Sequence, residues 1–158
     1  MPKATITDIT NAGFRPEQFA NPSDWLTAST GYVAVELARA GRWAEARIGA
    51  TAYAAATSGT YLFDLLVQAE TNKVAAVLWR RRASYTDGNV VVGGQEGQYL
   101  ERREYLTHGD TAEAAAEQAL SDAIVEAGGT ATLPGTGASF GHIETGRYPV
   151  ASEGALNG

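Results

Sequence analysis

One stretch constrains this chain more than any other: residues 61–83, YLFDLLVQAETNKVAAVLWRRRA, a run free of glycine and proline. Phe63, Leu66, Val67, Val74, Val77 and Leu78 recur at spacings of three, four and seven, the repeat of one face of an α-helix. Leu62, Leu65, Ala69, Ala76 and Trp79 widen that face, so the helix is expected to be covered on more than one side. Glu70 interrupts the apolar stripe. Arg80, Arg81 and Arg82 close the run with cations at the end where the helix dipole favours them. A chain organised around this run reads as all-α. The expected form is a small helical bundle around a long central helix, with a Gly-rich loop or hairpin and an extended C-terminal arm.

The rest of the sequence divides into a lead-in over 1–22, a helical body over 23–128 and an arm over 129–158. In the lead-in, Thr5, Ile6, Thr7 and Ile9 suit a short strand, and Asn11, Gly13, Pro16 and Pro22 punctuate the remainder of the segment. Phe14 and Phe19 are expected to dock on the body. A first helix is expected from near Asp24, capped by Asn21 or Ser23, or from near Thr30, with Gly41 ending it. A second covers 42–56, and Thr57, Ser58 and Gly59 turn the chain into the central helix; so short a connection favours antiparallel neighbours. Residues 84–97 combine the turn dipeptide Asp87-Gly88 with Val90, Val91 and Val92, which prefer extended backbone. They read as a surface loop or small hairpin, or as a tongue that meets a neighbour. A short helix is expected over 98–107, broken by His108-Gly109. Asp110 and Glu113 have capping-box spacing for a further helix, which Gly128 stops.

Chemistry is sparse. The chain has no cysteine, so disulfides and thiolate metal sites are excluded. His108 and His142 each sit beside a glycine without a partner at metal-ligand spacing. Gly93, Gly94 and Gly97 are not followed by the Lys-Ser/Thr of a phosphate-cradling loop, and GASFG at 137–141 is no nucleophile elbow. The carboxylate pairs Glu101/Glu104 and Glu113/Glu117 fit solvated helix faces. No catalytic, cofactor-binding or metal-ligating residues are expected, and the chain does not read as an enzyme. No apolar run is long enough to cross a bilayer, and MPKATITDIT lacks a signal-peptide core, so the protein is expected in the cytosol where it is made.

The net charge of −6 is unevenly placed. Residues 1–107 carry eleven cations and eleven anions, whereas 108–158 carry only Arg147 against seven anions. Such an acidic third disfavours tight nucleic-acid binding and suits a surface that DNA slides past, or one that meets a basic partner. The competing reading is a small helical nucleic-acid-binding regulator using Arg80, Arg81 and Arg82, with Arg102 and Arg103 in support. Three consecutive helical residues fan over most of a turn, however, and do not form one patch. Trp25, Trp43 and Trp79 suit core or subunit contacts. Beyond Gly129, glycine recurs every four or five residues, and the segment cannot bury enough apolar surface to fold alone. Leu133, Phe140, Ile143, Tyr148 and Val150 are spaced along it like anchors. It reads either as a disordered tail or as an arm that orders on a partner.

The order of these parts resembles the head–tail adaptor (connector, or head-completion) proteins of tailed bacteriophages. The resemblance is carried by the short lead-in, the Asp24-Trp25-Leu26 helix start, the small-residue helices and the long helix ending in Leu-Trp-Arg-Arg-Arg. The Gly-rich loop, the helix pair and the extended arm complete it, over roughly residues 15–158. It implies a structural virion protein at the head–tail interface, assembled in the host cytoplasm. Twelve copies would form a ring below the portal, joining the DNA-filled head to the tail. Its implied partners are the portal protein, the next connector or tail-side ring, further copies of itself, and DNA that passes without specific binding. Leu133, Phe140, Ile143, Tyr148 and Val150 would contact the portal or a neighbouring subunit. Asn89, Val91 and Gln95 in the loop would meet the next ring or the channel, and the helices over 30–56 and 61–83 would supply subunit–subunit faces.

Overall fold

A computed structural model describes residues 1–19, 31–86 and 95–129, and every regular element among them is helical. α1 spans Ile6–Asn11, and a single 3₁₀ turn comes next at Pro16–Gln18. α2 spans Tyr32–Ile48, α3 Ala50–Ala55, α4 Tyr61–Thr86 and α5 Gln95–Glu126. No helix of the described residues is long and apolar enough to cross a membrane.

Each of the other α-helices packs on α4. The face carrying Leu66 and Ala69 packs with Leu120 and Ala123 of α5, Ala44 of α2 and Tyr53 of α3. Further along, Val74 and Leu78 pack with Val33 and Leu37 of α2, Ile9 of α1, Phe14 and Phe19. As α2 advances from Val33 to Ala44, its partners on α4 recede from Leu78 to Leu66, so the two run antiparallel. α5 does the same, pairing Trp79 with Tyr105 and His108 at one end and the Leu66 layer with Leu120 at the other. Phe14 and Phe19 do dock on the body: both are buried against α4 and α2.

Three expectations are corrected. Thr5, Ile6, Thr7 and Ile9 do not form a strand. The Asp8 carboxylate accepts from both the backbone N–H and the hydroxyl of Thr5, at 2.7 Å each, which closes a cap on α1. The cap overrides the extended preference of β-branched residues, and Ile6 and Ile9, three apart, turn one face to the core. Gly41 does not end a helix; α2 runs through it to Ile48. A Cβ at position 41 would lie 2.9 Å from the Cα of Pro2, so glycine there admits the N-terminal segment. The break comes instead at Gly49, whose φ of +92° suits glycine alone. His108-Gly109 likewise breaks nothing: α5 is one helix of 32 residues. A Cβ at position 109 would meet the Arg80 side chain at 3.1 Å and the Ala76 carbonyl at 3.4 Å, so this glycine lets α4 and α5 approach. With the helix continuous, Asp110 and Glu113 cap nothing and face the cations of α4.

The stop at Gly128 is as expected. The Gly129 N–H donates to the Ile124 carbonyl at 2.8 Å and the Gly128 N–H to Val125 at 2.9 Å, the paired bonds of a Schellman ending.

Gly41→Ala tests the close approach. The added methyl forces the Pro2 backbone outward at a cost of about 1–3 kcal/mol, more than alanine's helix preference of up to about 1 kcal/mol returns. Hydrogen exchange at the Ala4 amide is expected to accelerate, with the helical circular dichroism unchanged.

Candidate functional site

The residues singled out by sequence meet different fates. Arg80, Arg81 and Arg82 point to different places. Arg80 reaches Asp110 at 3.1 Å and Glu113 at 3.3 Å across α5. The Arg81 guanidinium lies 3.7 Å from the ring centroid of Tyr32. Arg82 lies over Tyr105 at 4.7 Å and Trp79 at 5.9 Å. Trp79 itself meets Phe14 edge-on at 5.1 Å and stacks on Tyr105 at 5.7 Å. The cluster thus stitches α4 to α5, α2 and the N-terminal segment. Gln95 begins α5 rather than lying in a loop, because the helical run starts ahead of Gly97. Asn89, Val91, Leu133, Phe140, Ile143, Tyr148 and Val150 lie outside the described residues, as does Trp25.

Charge continues along the hairpin of α4 and α5. Lys73 pairs with Glu113 and sits 4.7 Å above the Trp43 ring, and Arg47 of α2 reaches Glu117 at 3.3 Å. These ion pairs are partly exposed, so each contributes modestly. Of the sequence carboxylate pairs, Glu113 and Glu117 therefore bridge helices.

The most unusual group is one that sequence reasoning passes over. Glu70 is 0 % exposed, in mid-α4 between the two core layers. Its carboxylate accepts from the backbone N–H of Lys3 at 2.7 Å and of Ala4 at 2.8 Å, and from the hydroxyl of Tyr53. The Tyr53 hydroxyl also lies 3.1 Å from the Met1 carbonyl, and the Lys3 ammonium donates to the Ala56 carbonyl at 2.7 Å. Residues 1–4 are thereby clasped against α2, α3 and α4. Burial strips water from the Glu70 charge and holds its pKa above the ordinary carboxyl value, although the bonds from Tyr53, Ala4 and Lys3 pull the other way. Burial, and then the neighbouring Glu70, push the Tyr53 phenol up as well. The signal in the sequence is the acid interrupting an apolar stripe.

A carboxylate closed off in this way anchors chain and is out of reach of any substrate. Among the described residues, no three His, Cys, Asp or Glu side chains gather as a metal site. His108 is half exposed, tilted against Trp79 at 5.0 Å and 3.7 Å from Glu104. The α4–α5 hairpin has two ends. Residues 87–94 connect the helices at one end. The chain leaves at Gly129 at the other, beside Tyr61 and Val125, which are 63 % and 59 % exposed. Comparison with known proteins gives no match: no family model, no curated protein and no solved structure matches this chain.

Proposed function

We propose that this protein is a structural adaptor of the head–tail connector kind, a component of a virion ring below the portal rather than an enzyme. In this reading a small bundle around a long central helix presents a Gly-rich loop or hairpin at one end and an extended arm at the other. Twelve copies would surround part of the DNA channel, with the portal on one side and the next ring of the tail on the other. The observation that supports it best is the placement of the two departures. The 26 residues of α4, at about 1.5 Å each, set the two ends of a stiff, ion-paired hairpin roughly 39 Å apart, the distance at which this reading needs its loop and its arm. A spacer of this kind suits a part that must touch one neighbour above and another below. Exposed Tyr61 and Val125 add apolar contact where the arm departs. The regulator reading is weaker, because Arg80, Arg81 and Arg82 are engaged within the fold on separate partners.

The test is binding to rings of the portal protein encoded nearest its gene, followed by co-sedimentation and electron microscopy. Full-length protein is expected to decorate the rings. A chain ending at Gly129 is expected to lose about a hundredfold or more in affinity, the scale of losing several anchoring side chains at once. Its helical circular dichroism should be unchanged, because α5 is closed by its own Schellman bonds at Gly128 and Gly129. Full-length protein that ignores the portal, or a shortened chain that binds equally well, would sink the adaptor reading.

A further inference from the structure

A polar groove of about 360 Å³ runs between α1 and the first half of α4. Asp8 and Asp64 face it, with the amides of Asn11, Gln68 and Asn72 between them and Val67 as its apolar wall. No cation lines it. Among the described residues Asp64 has no ion-pair partner, in contrast to Glu113, Asp110 and Glu117 on α5. Asp64 stands in the first turn of α4, where the helix dipole favours an anion. That accounts for one charge and leaves the amides around it unexplained. The Thr71 hydroxyl, also in the groove wall, is buried without a hydrogen-bond partner. Two acids and three amides are what an extended peptide carrying a cation would satisfy: backbone N–H and C=O groups on the amides, a guanidinium on the carboxylates.

We propose that this groove is a docking site for the chain's own C-terminal arm, held there by Arg147 between Asp8 and Asp64. Arg147 is the only cation after residue 107, so charge complementarity selects one point of the arm. Its distance along the chain also fits. Antiparallel packing puts Gly129 beside the start of α4, and the groove lies two to three turns further on, on the side of α4 turned away from α5. A helix rise of about 1.5 Å and an interaxial spacing of about 9 Å make that span roughly 20 Å. Arg147 stands eighteen positions beyond Gly129, and a Gly-rich chain of that length has a root-mean-square extent of about 24 Å. A tether whose extent matches its span presents its end at a local concentration of the order of millimolar, well above that of a second copy in dilute solution. The berth rests on the groove and the tether, independently of the adaptor reading. Under that reading it keeps the arm occupied until a partner competes for it.

The chain has no cysteine, which permits a direct test in full-length protein. Gln68→Cys and Tyr148→Cys are placed in one chain, and disulfide formation is followed by mass and peptide mapping at low micromolar concentration. Gln68 and Asp64 are exposed, so the fold tolerates change there. The 68–148 bridge is expected to form within single chains, about tenfold faster than a control bridge from exposed Ala114→Cys on α5. Adding Arg147→Glu should slow it about tenfold, the scale of one charge-assisted contact, and adding Asp64→Arg to that variant should restore the rate. Equal rates for the two bridges would overturn the proposal. So would indifference to Arg147→Glu, or bridges found only between chains when the single-cysteine proteins are mixed. Portal binding is not read in this experiment, so its failure leaves the adaptor reading standing.

Discussion

Replacing Glu70 with alanine is expected to lower the melting temperature by about 10–15 °C. The change leaves three donors without their acceptor, the buried Ala4 N–H and Tyr53 hydroxyl and the partly buried N–H of Lys3. Each unsatisfied group costs about 1–3 kcal/mol, and the Tyr53 hydroxyl keeps the Met1 carbonyl as an alternative. The net loss is about 3–5 kcal/mol, at roughly 3 °C per kcal/mol for a chain of this size. Glutamine at the same position behaves differently. Its carbonyl oxygen still receives the two backbone N–H groups, and its amide donates to the Tyr53 oxygen, which turns its own proton to Met1. The charge is gone, and with it a dependence on pH. In the native protein Glu70 has a raised pKa, so its contribution to stability is full below the unfolded carboxyl value of about 4.3 and is lost as pH climbs through the folded value. Glu70→Gln is therefore expected to gain on the parent as pH rises from about 4 to about 8. Thermal melts of both proteins across that range check it. A glutamine variant that loses ground with rising pH would show that Glu70 is better stabilised charged than neutral.

Leu66→Ala should cost about 2–5 kcal/mol, because Leu66 is 0 % exposed and stands where α4 meets α5, α2 and α3 at once. Four elements share the resulting cavity, and none can close it without leaving another. Chemical denaturation measures the loss as a lower midpoint with an unchanged slope. The helix ends distinguish this change from the one at Glu70. Leu66→Ala loosens the α4–α5 hairpin, so the amides of Ala119 and Ala123 should exchange faster. Glu70→Ala should loosen residues 1–4 first.

The long central helix is legible because its apolar positions keep one period over about six turns. Phe14 and Phe19 are legible because large aromatics in a polar lead-in need somewhere to go. Glycine misleads twice in the same way. Gly41 and Gly109 look like breaks, yet each marks a place where another segment comes close, and composition alone does not say what stands opposite. Gly128 is legible because helix-stop glycines carry their signal locally, in the polar and glycine residues just after them. The cap on α1 is present as Thr5 and Asp8 three apart, and a count of β-branched residues outweighs it. Glu70 shows in the sequence only as an interruption. Two of its three donors are backbone amides of Lys3 and Ala4, groups common to almost every residue, so no residue pattern announces them. The spread of Arg80, Arg81 and Arg82 over separate neighbours is the expected consequence of helical geometry.

The clasp also bears on how a ribosome delivers this protein. Lys3 and Glu70 are 67 positions apart, so residues 1–4 must wait, unanchored, until α4 has emerged at least as far as Glu70. Until then the acid stands in water and loses nothing by remaining charged; closing the loop is what dehydrates it, and the entropy of closure grows only slowly with such a separation. Seating of residues 1–4 thus needs Tyr53 of α3 and Glu70 of α4 both in place.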